Sequence, residues 1–191
     1  MRSKRTLFLI EVAIFAALAY LLDIIPFLSF KIWAQGGSVS LAMIPIFIVA
    51  FRWGLKGGLL SGLLWGVLQV AIGPASIYYF WQGVIEYGFA FTVLGLAGIF
   101  AKPVQRAIKD GKTKTSFLYI MLGVFIGSAF RFIAHFAAGI VFFAEFAPEG
   151  QPVWLYSLVY NCSYMVPSFI ICTLVVSFLF NKQPRTLLSA A

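Results

Sequence analysis

Long apolar runs, separated by short polar stretches, fill almost the whole chain. Six of them are sized as membrane-crossing helices, at about residues 7–25, 39–52, 57–73, 78–100, 116–143 and 154–180, because a helix crosses the hydrocarbon core with ~20 mostly apolar residues. The first run exceeds the ~7–15-residue apolar core of a secretory signal, so it is expected to remain as a helix. The second contains Pro45, and the fifth is long enough to tilt. Between the runs lie a loop at about 26–38 (Pro26, Lys31, Trp33, Gln35, Gly36, Gly37), a chargeless turn Gly73-Pro74-Ala75-Ser76, a loop at about 101–115, and another at about 144–153 with Glu145, Pro148, Glu149 and Pro152. Little length remains for anything else. The expectation is one all-α domain over residues 1–191, with six transmembrane helices.

Charge orients these spans. Twelve of the fourteen Lys and Arg residues fall in four stretches: Arg2, Lys4 and Arg5; Arg52 and Lys56; Lys102, Arg106, Lys109, Lys112 and Lys114; Lys182 and Arg185. All four face one side if the chain crosses six times. Short basic loops stay cytoplasmic, so both termini are expected inside. The opposite loops carry one Lys and two Glu. Charged residues make up only 10% of the chain, against ~25% in soluble domains, and the mean hydropathy is +0.97. A net charge of +8 therefore reads as membrane orientation, with the lipid bilayer as partner and no nucleic acid. The two cysteines, Cys162 and Cys172, are ten apart in one predicted helix, or ~15 Å, too far for a disulfide. With one His and no metal-ligand spacing, neither a metal nor a cofactor is expected.

Small residues recur every fourth position at Ala13 and Ala17, at Gly58, Gly62 and Gly66, and at Gly123 and Gly127. Such stripes let helix backbones approach closely in lipid. They serve either packing within the bundle or docking of another membrane subunit, for which Ala13 and Ala17 are the candidates.

Ionisable residues inside spans are costly and mark function. Here the polar set is Glu11, Glu86, Arg131, His135 and Asn161, with Asp23 near an outer end. Glu11 is expected to pair with the basic N-terminus, and Asp23 to reach the outer interface. Glu86, His135 and Asn161 fall about seven or eight residues from the outer ends of three spans, ~12 Å deep, which points to one outer pocket. Arg131 lies one turn deeper than His135 on the same face. It either pairs with Glu86 or forms the pocket floor, meeting an anionic or hydroxyl end of a ligand. Aromatics crowd the same level: Trp81 and Trp154 suit the interfacial belt, Tyr87 and Tyr160 the pocket. A carboxylate among aromatic faces suits a planar cation.

Other motifs carry no chemistry. Gly111-Lys112-Thr113 lacks the leading Gly of a phosphate loop, since Arg106 stands there. The sequon Asn161-Cys162-Ser163 lies inside a span. No spacing pairs a nucleophile with a base, so no enzyme activity and no ATPase site of its own are expected.

The stretch Gln35-Gly-Gly-Ser-Val-Ser-Leu-Ala-Met-Ile-Pro-Ile-Phe, the pair Glu86-Tyr87, Arg131-Phe-Ile-Ala-His135 with Gly139, and Tyr156-Ser-Leu-Val-Tyr-Asn161 resemble the thiamine-specific S components of energy-coupling factor transporters. The opening Glu11-Val-Ala13-Ile-Phe-Ala-Ala17 resembles the Ala-x-x-x-Ala first helix of that class. The resemblance implies a binding subunit that captures thiamine outside a bacterial cell. It would dock on a transmembrane coupling subunit carried by two ATPase subunits, then topple to release the vitamin inside for ATP-driven uptake. It also implies ligand contacts from Glu86, Tyr87, His135, Gly139, Tyr156 and Asn161, an aromatic lid residue at Trp33, and Arg131 near the hydroxyethyl end. Phe143 departs from the Trp of some members, keeping a stacking face with a weaker cation–π term. Thiamine, a cationic thiazolium joined to an aminopyrimidine, matches the acid-and-aromatic pocket. The alternative is a stand-alone secondary transporter for an organic cation, although no internal repeat of the kind such proteins often carry is visible.

Overall fold

The computed structural model describes residues 3–33, 36–73 and 75–188. Arg2, Gln35, Pro74 and the side chain of Arg185 lie outside the described residues. Five helices are long and apolar enough to span a membrane: α1 (Ser3–Ile24), α2 (Met43–Ala71), α3 (Phe80–Lys109), α4 (Thr113–Phe142) and α5 (Val153–Lys182). A short α6 (Pro184–Leu187) follows.

The expected second and third spans are joined in α2, and Gly54 is where they part. Its φ of 76° and ψ of −165° belong to a region that is essentially open to glycine alone. The helix folds back there: a Cβ on Gly58 would come 2.7 Å from that of Ala50, whereas residues eight apart in a straight helix are ~12 Å apart. Carbonyls released by the break need new donors, and the Gln105 amide donates to the Phe51 and Arg52 oxygens at 2.8 and 3.0 Å. Gly54 also lets α3 approach, with Gly98 against its backbone.

Between α1 and α2 the expected loop is an antiparallel hairpin, β1 (Ser29–Trp33) with β2 (Gly36–Ser40), in which Lys31 faces Ser38 and Trp33 faces Gly36. Gly37, at φ +69°, lies where a Cβ would meet the Tyr164 ring at 2.8 Å. The glycine pair thus lets the hairpin lie against α5. Another correction concerns the basic loop. Residues Ala101–Lys109 continue α3, because Ala101, Val104 and Ala107 recur at helical spacing and are buried, leaving Lys102, Arg106 and Lys109 outward. Only a short turn precedes α4.

The Gly58, Gly62 and Gly66 stripe is internal packing. Added Cβ atoms would sit 2.7 Å from Gly95 Cα, 2.3 Å from the Phe91 carbonyl oxygen and 1.9 Å from that of Tyr87, respectively. Gly123 and Gly127 likewise receive Phe51, Phe47 and the Leu94 carbonyl. Glycine contact brings α3 backbone within van der Waals reach of α2 and α4, around a core that includes Phe47, Phe51, Leu94, Ile120 and Phe180. At the same end, Glu11 pairs with Arg52 at 2.5 and 2.9 Å and accepts from the Trp53 indole at 2.6 Å. Its partner is thus Arg52, on the folded-back α2, because burial of both charges favours a fork-like pair over a solvated lysine. Gly54→Ala is expected to cost about 1–3 kcal/mol, read as a lowered thermal unfolding midpoint in detergent; an unchanged midpoint would show that the fold-back tolerates a Cβ.

Candidate ligand-binding cavity

A cavity of about 320 Å³ opens among the β-hairpin, α2, α3, α4 and α5, at the lower end of the size range typical of small-molecule sites. Glu86 enters it from a π-helical segment of α3, Val84–Phe89, a local widening that recurs at functional sites. The carboxylate accepts a hydrogen bond from the Gln82 amide and lies 3.5 Å from His135 Nδ1. His135 Nε2 is buried and has no hydrogen-bond partner among the described residues. The next residue on the π segment, Tyr87, accepts the Ser76 N–H at its hydroxyl, at 3.1 Å.

Arg131 lines the cavity without joining an ion pair to Glu86; its guanidinium lies over the rings of Phe91 and Trp65, 4.2 and 5.1 Å from their centroids. Aromatic faces attract a desolvated guanidinium, which explains how the charge is tolerated. Its Nε and Nη1 are buried and have no hydrogen-bond partner among the described residues.

From α5, Tyr156, Tyr160 and Tyr164 form a stepped row with centroids 6.0 and 5.7 Å apart, spaced by the helical i, i+4 repeat. Asn161 is buried beside them, its amide donating to the Ser157 carbonyl at 2.8 Å and its oxygen accepting from the Tyr164 hydroxyl at 2.6 Å. Gly139 sets the distance between α4 and α5 here, since a Cβ would fall 2.3 Å from Ser157 Oγ. Phe143 also lines the cavity, edge-on to Tyr78 at 6.2 Å.

Glu86, Tyr87, Arg131, His135, Gly139, Phe143, Tyr156 and Asn161 therefore all line one cavity. Trp33 stands behind the wall instead. Its indole donates to Ser163 Oγ at 2.8 Å, and its ring tilts against Tyr160 at 5.6 Å. Asp23 is a correction: it turns into the cavity, where it accepts from the Gln69 amide and from Ser29 Oγ at 3.3 Å. Two donors inside the protein suit the carboxylate better than partial exposure at a helix end. The in-span glutamines Gln69 and Gln82, both buried, were legible as intramembrane polar residues, but a search confined to ionisable groups and asparagine passes over them. Lys31, on the hairpin, also reaches the cavity, and no spacing in the sequence marks it.

The cavity thus presents two carboxylates, Asp23 and Glu86, the cationic Lys31 and Arg131, an imidazole nitrogen with no hydrogen-bond partner among the described residues, and a row of phenol rings packed tilted and edge-on. That combination can hold a planar cation bearing hydrogen-bonding nitrogens, by charge compensation at Glu86 and ring contact around it.

Known proteins agree with this architecture. The chain is 49% identical over 191 residues to the thiamine transporter ThiT of Bacillus subtilis (strain 168), covering 98% of this chain and 97% of that protein. It is 32% identical over 185 residues to the ThiT of Lacticaseibacillus paracasei, covering 95% and 90%. The solved structure of ThiT from Listeria monocytogenes superposes with a TM-score of 0.90 at 32% identity, over 97% of this chain and all of that one. With five membrane-length apolar helices, this is a multi-pass bacterial membrane protein. The thiamine transporter protein family matches residues 9–188, and the chain belongs to it.

Proposed function

We propose that this protein is the substrate-binding membrane subunit of an energy-coupling factor transporter, capturing thiamine outside the cell for ATP-driven uptake. The observation that carries the reading is the cavity itself, where Glu86 stands beside His135 within a ring of tyrosines. The names of its relatives, thiamine transporters in each case, supply the ligand. Thiamine's thiazolium charge is offset by Glu86, while its aminopyrimidine has His135 and the tyrosine faces within reach. Trp33 acts through Tyr160, which it backs.

In this reading both termini are cytoplasmic, the chain forms one domain and it crosses six times. The short first arm of α2, Met43 to the break at Gly54, makes the inner half of the second crossing, and the hairpin above it covers the cavity. Non-helical backbone at membrane depth is tolerable where it lines a cavity inside protein. ATP hydrolysis belongs to two partner ATPases reached through a transmembrane coupling subunit. The docking face is on α1, where Ala13 and Ala17 are exposed while Val12, Ala16 and Ala19 are buried against the bundle. A small-residue stripe facing outward is suited to close helix contact with a second membrane subunit.

Thiamine added to the detergent-purified protein is expected to quench intrinsic Trp fluorescence saturably at submicromolar concentration. No response at millimolar thiamine, from folded and ligand-free protein, overturns the vitamin assignment. Glu86→Gln should weaken binding at least about tenfold, or ~1.4 kcal/mol; equal affinity removes Glu86 from the site. Ala13→Trp should leave the titration unchanged and abolish cellular thiamine uptake, and persistent uptake would place the docking face elsewhere.

A further inference from the structure

Gln82 is fully buried, one helical turn before Glu86 on α3, and its amide is engaged on three sides. Nε2 donates to the Ser76 carbonyl at 3.0 Å and to the Glu86 carboxylate, while Oε1 accepts the Tyr78 N–H at 3.0 Å. Both of its protons are therefore in use. The residues it holds, Ser76 and Tyr78, line the cavity in a segment without regular secondary structure. Among the described residues, the backbone groups of Ser76 and Tyr78 that are hydrogen-bonded meet two side chains, Gln82 and Tyr87. Tyr87 is Glu86's neighbour on the same π segment.

We infer that Gln82 is a positioning residue that ties the Ser76–Tyr78 wall to the Glu86 carboxylate, so that ordering this wall and retaining a cationic ligand are one event. The inference rests on the function proposed above. A buried carboxylate needs donors, and Gln82 supplies one to Glu86 while its second N–H is committed to the wall. Movement of the wall away from α3 must therefore break the Ser76 and Tyr78 bonds or drag the amide from Glu86. A ligand cation that anchors Glu86 then resists opening of the wall, through the amide between them. The other groups facing the carboxylate do not make this link: His135 approaches it from α4, and Arg131 rests on Phe91 and Trp65.

The test compares wild type, Gln82→Leu, Gln82→Glu and Glu86→Gln by two measurements. One is stopped-flow thiamine binding and release; the other is amide hydrogen exchange across Ser76–Tyr78, with and without thiamine. Gln82→Leu removes all three bonds at similar volume. It is expected to speed release at least about tenfold while association changes by less than about threefold, because lost retention acts on the off-rate. Exchange at Tyr78 should be faster in the ligand-free variant, and thiamine should protect the segment in wild type but not in Gln82→Leu. Glu86→Gln, whose amide oxygen still accepts from Gln82, should bind weakly yet keep wild-type exchange in the ligand-free state. Unchanged release and unchanged exchange in folded Gln82→Leu overturn the inference. If Gln82→Leu does not fold, Gln82→Glu decides: it can still accept from Tyr78, but a carboxyl beside Glu86 carries at most one proton, so it cannot donate to Ser76 and Glu86 together and the link is broken; wild-type release from it is equally fatal. Should wild type fail to bind thiamine, the proposed function falls, and ligand-free exchange alone then decides whether Gln82 holds the wall.

Discussion

A carboxylate inside an apolar helix bundle has to be surrounded by donors, and the interior of this protein is arranged to meet that demand at Glu86. Gln82 donates to it from one turn away, and His135 approaches from the facing helix. In a low-dielectric setting an unmatched charge costs several kcal/mol, so neither neighbour is incidental. The arrangement also leaves capacity unspent. Among the described residues, His135 Nε2 and two guanidinium nitrogens of Arg131 are buried without hydrogen-bond partners, in a cavity where aromatic rings alternate with polar side chains. Acceptor atoms on a ligand suit those guanidinium nitrogens while its cationic ring suits Glu86, which is the physical basis of the proposed thiamine site.

Glycine contact makes this geometry possible. Gly66 abuts the Tyr87 carbonyl, and Gly62 that of Phe91. The α3 backbone that carries Glu86 is thereby pressed against α2 across its π-helical stretch. Larger residues at these positions would push α3 outward and move the acid from His135. On the far side, Gly139 lets α5 close on α4 so that Asn161 and the tyrosine row reach the same space. In lipid, where apolar burial does not drive helices together, such close backbone approach is a main source of association. The residues that hold the bundle and those that shape the site are thus neighbours on the same helices.

At the other end of the molecule, Glu11, Arg52 and Trp53 join α1 to the fold-back of α2, and Arg52 also donates to the Leu188 carbonyl. Buried fork-like pairs of this kind impose register. They pin a helix that otherwise buries little: Val12, Ala16 and Ala19 face the bundle while much of α1 is exposed apolar surface. That combination suits an element that belongs to the fold on one side and is free to meet lipid or another subunit on the other.

Long apolar runs, with basic residues clustered between them, were enough to establish a membrane-embedded helical chain, because hydrocarbon tolerates little else. They were also enough to bring Glu86, His135 and Asn161 to one depth, since rise along a helix is fixed. Depth is a one-dimensional quantity, and rotation about each helix axis is not written in it. Only the assembled structure could turn Asp23 inward, seat Arg131 on two rings rather than on Glu86 and place Trp33 behind Tyr160. The same holds for the hairpin and the fold at Gly54, which answer to contacts with α5 and α3. Composition and spacing determined which groups must be buried. Which of them meet was settled by helix packing, because close contact depends on azimuth and on the glycines that let backbones touch.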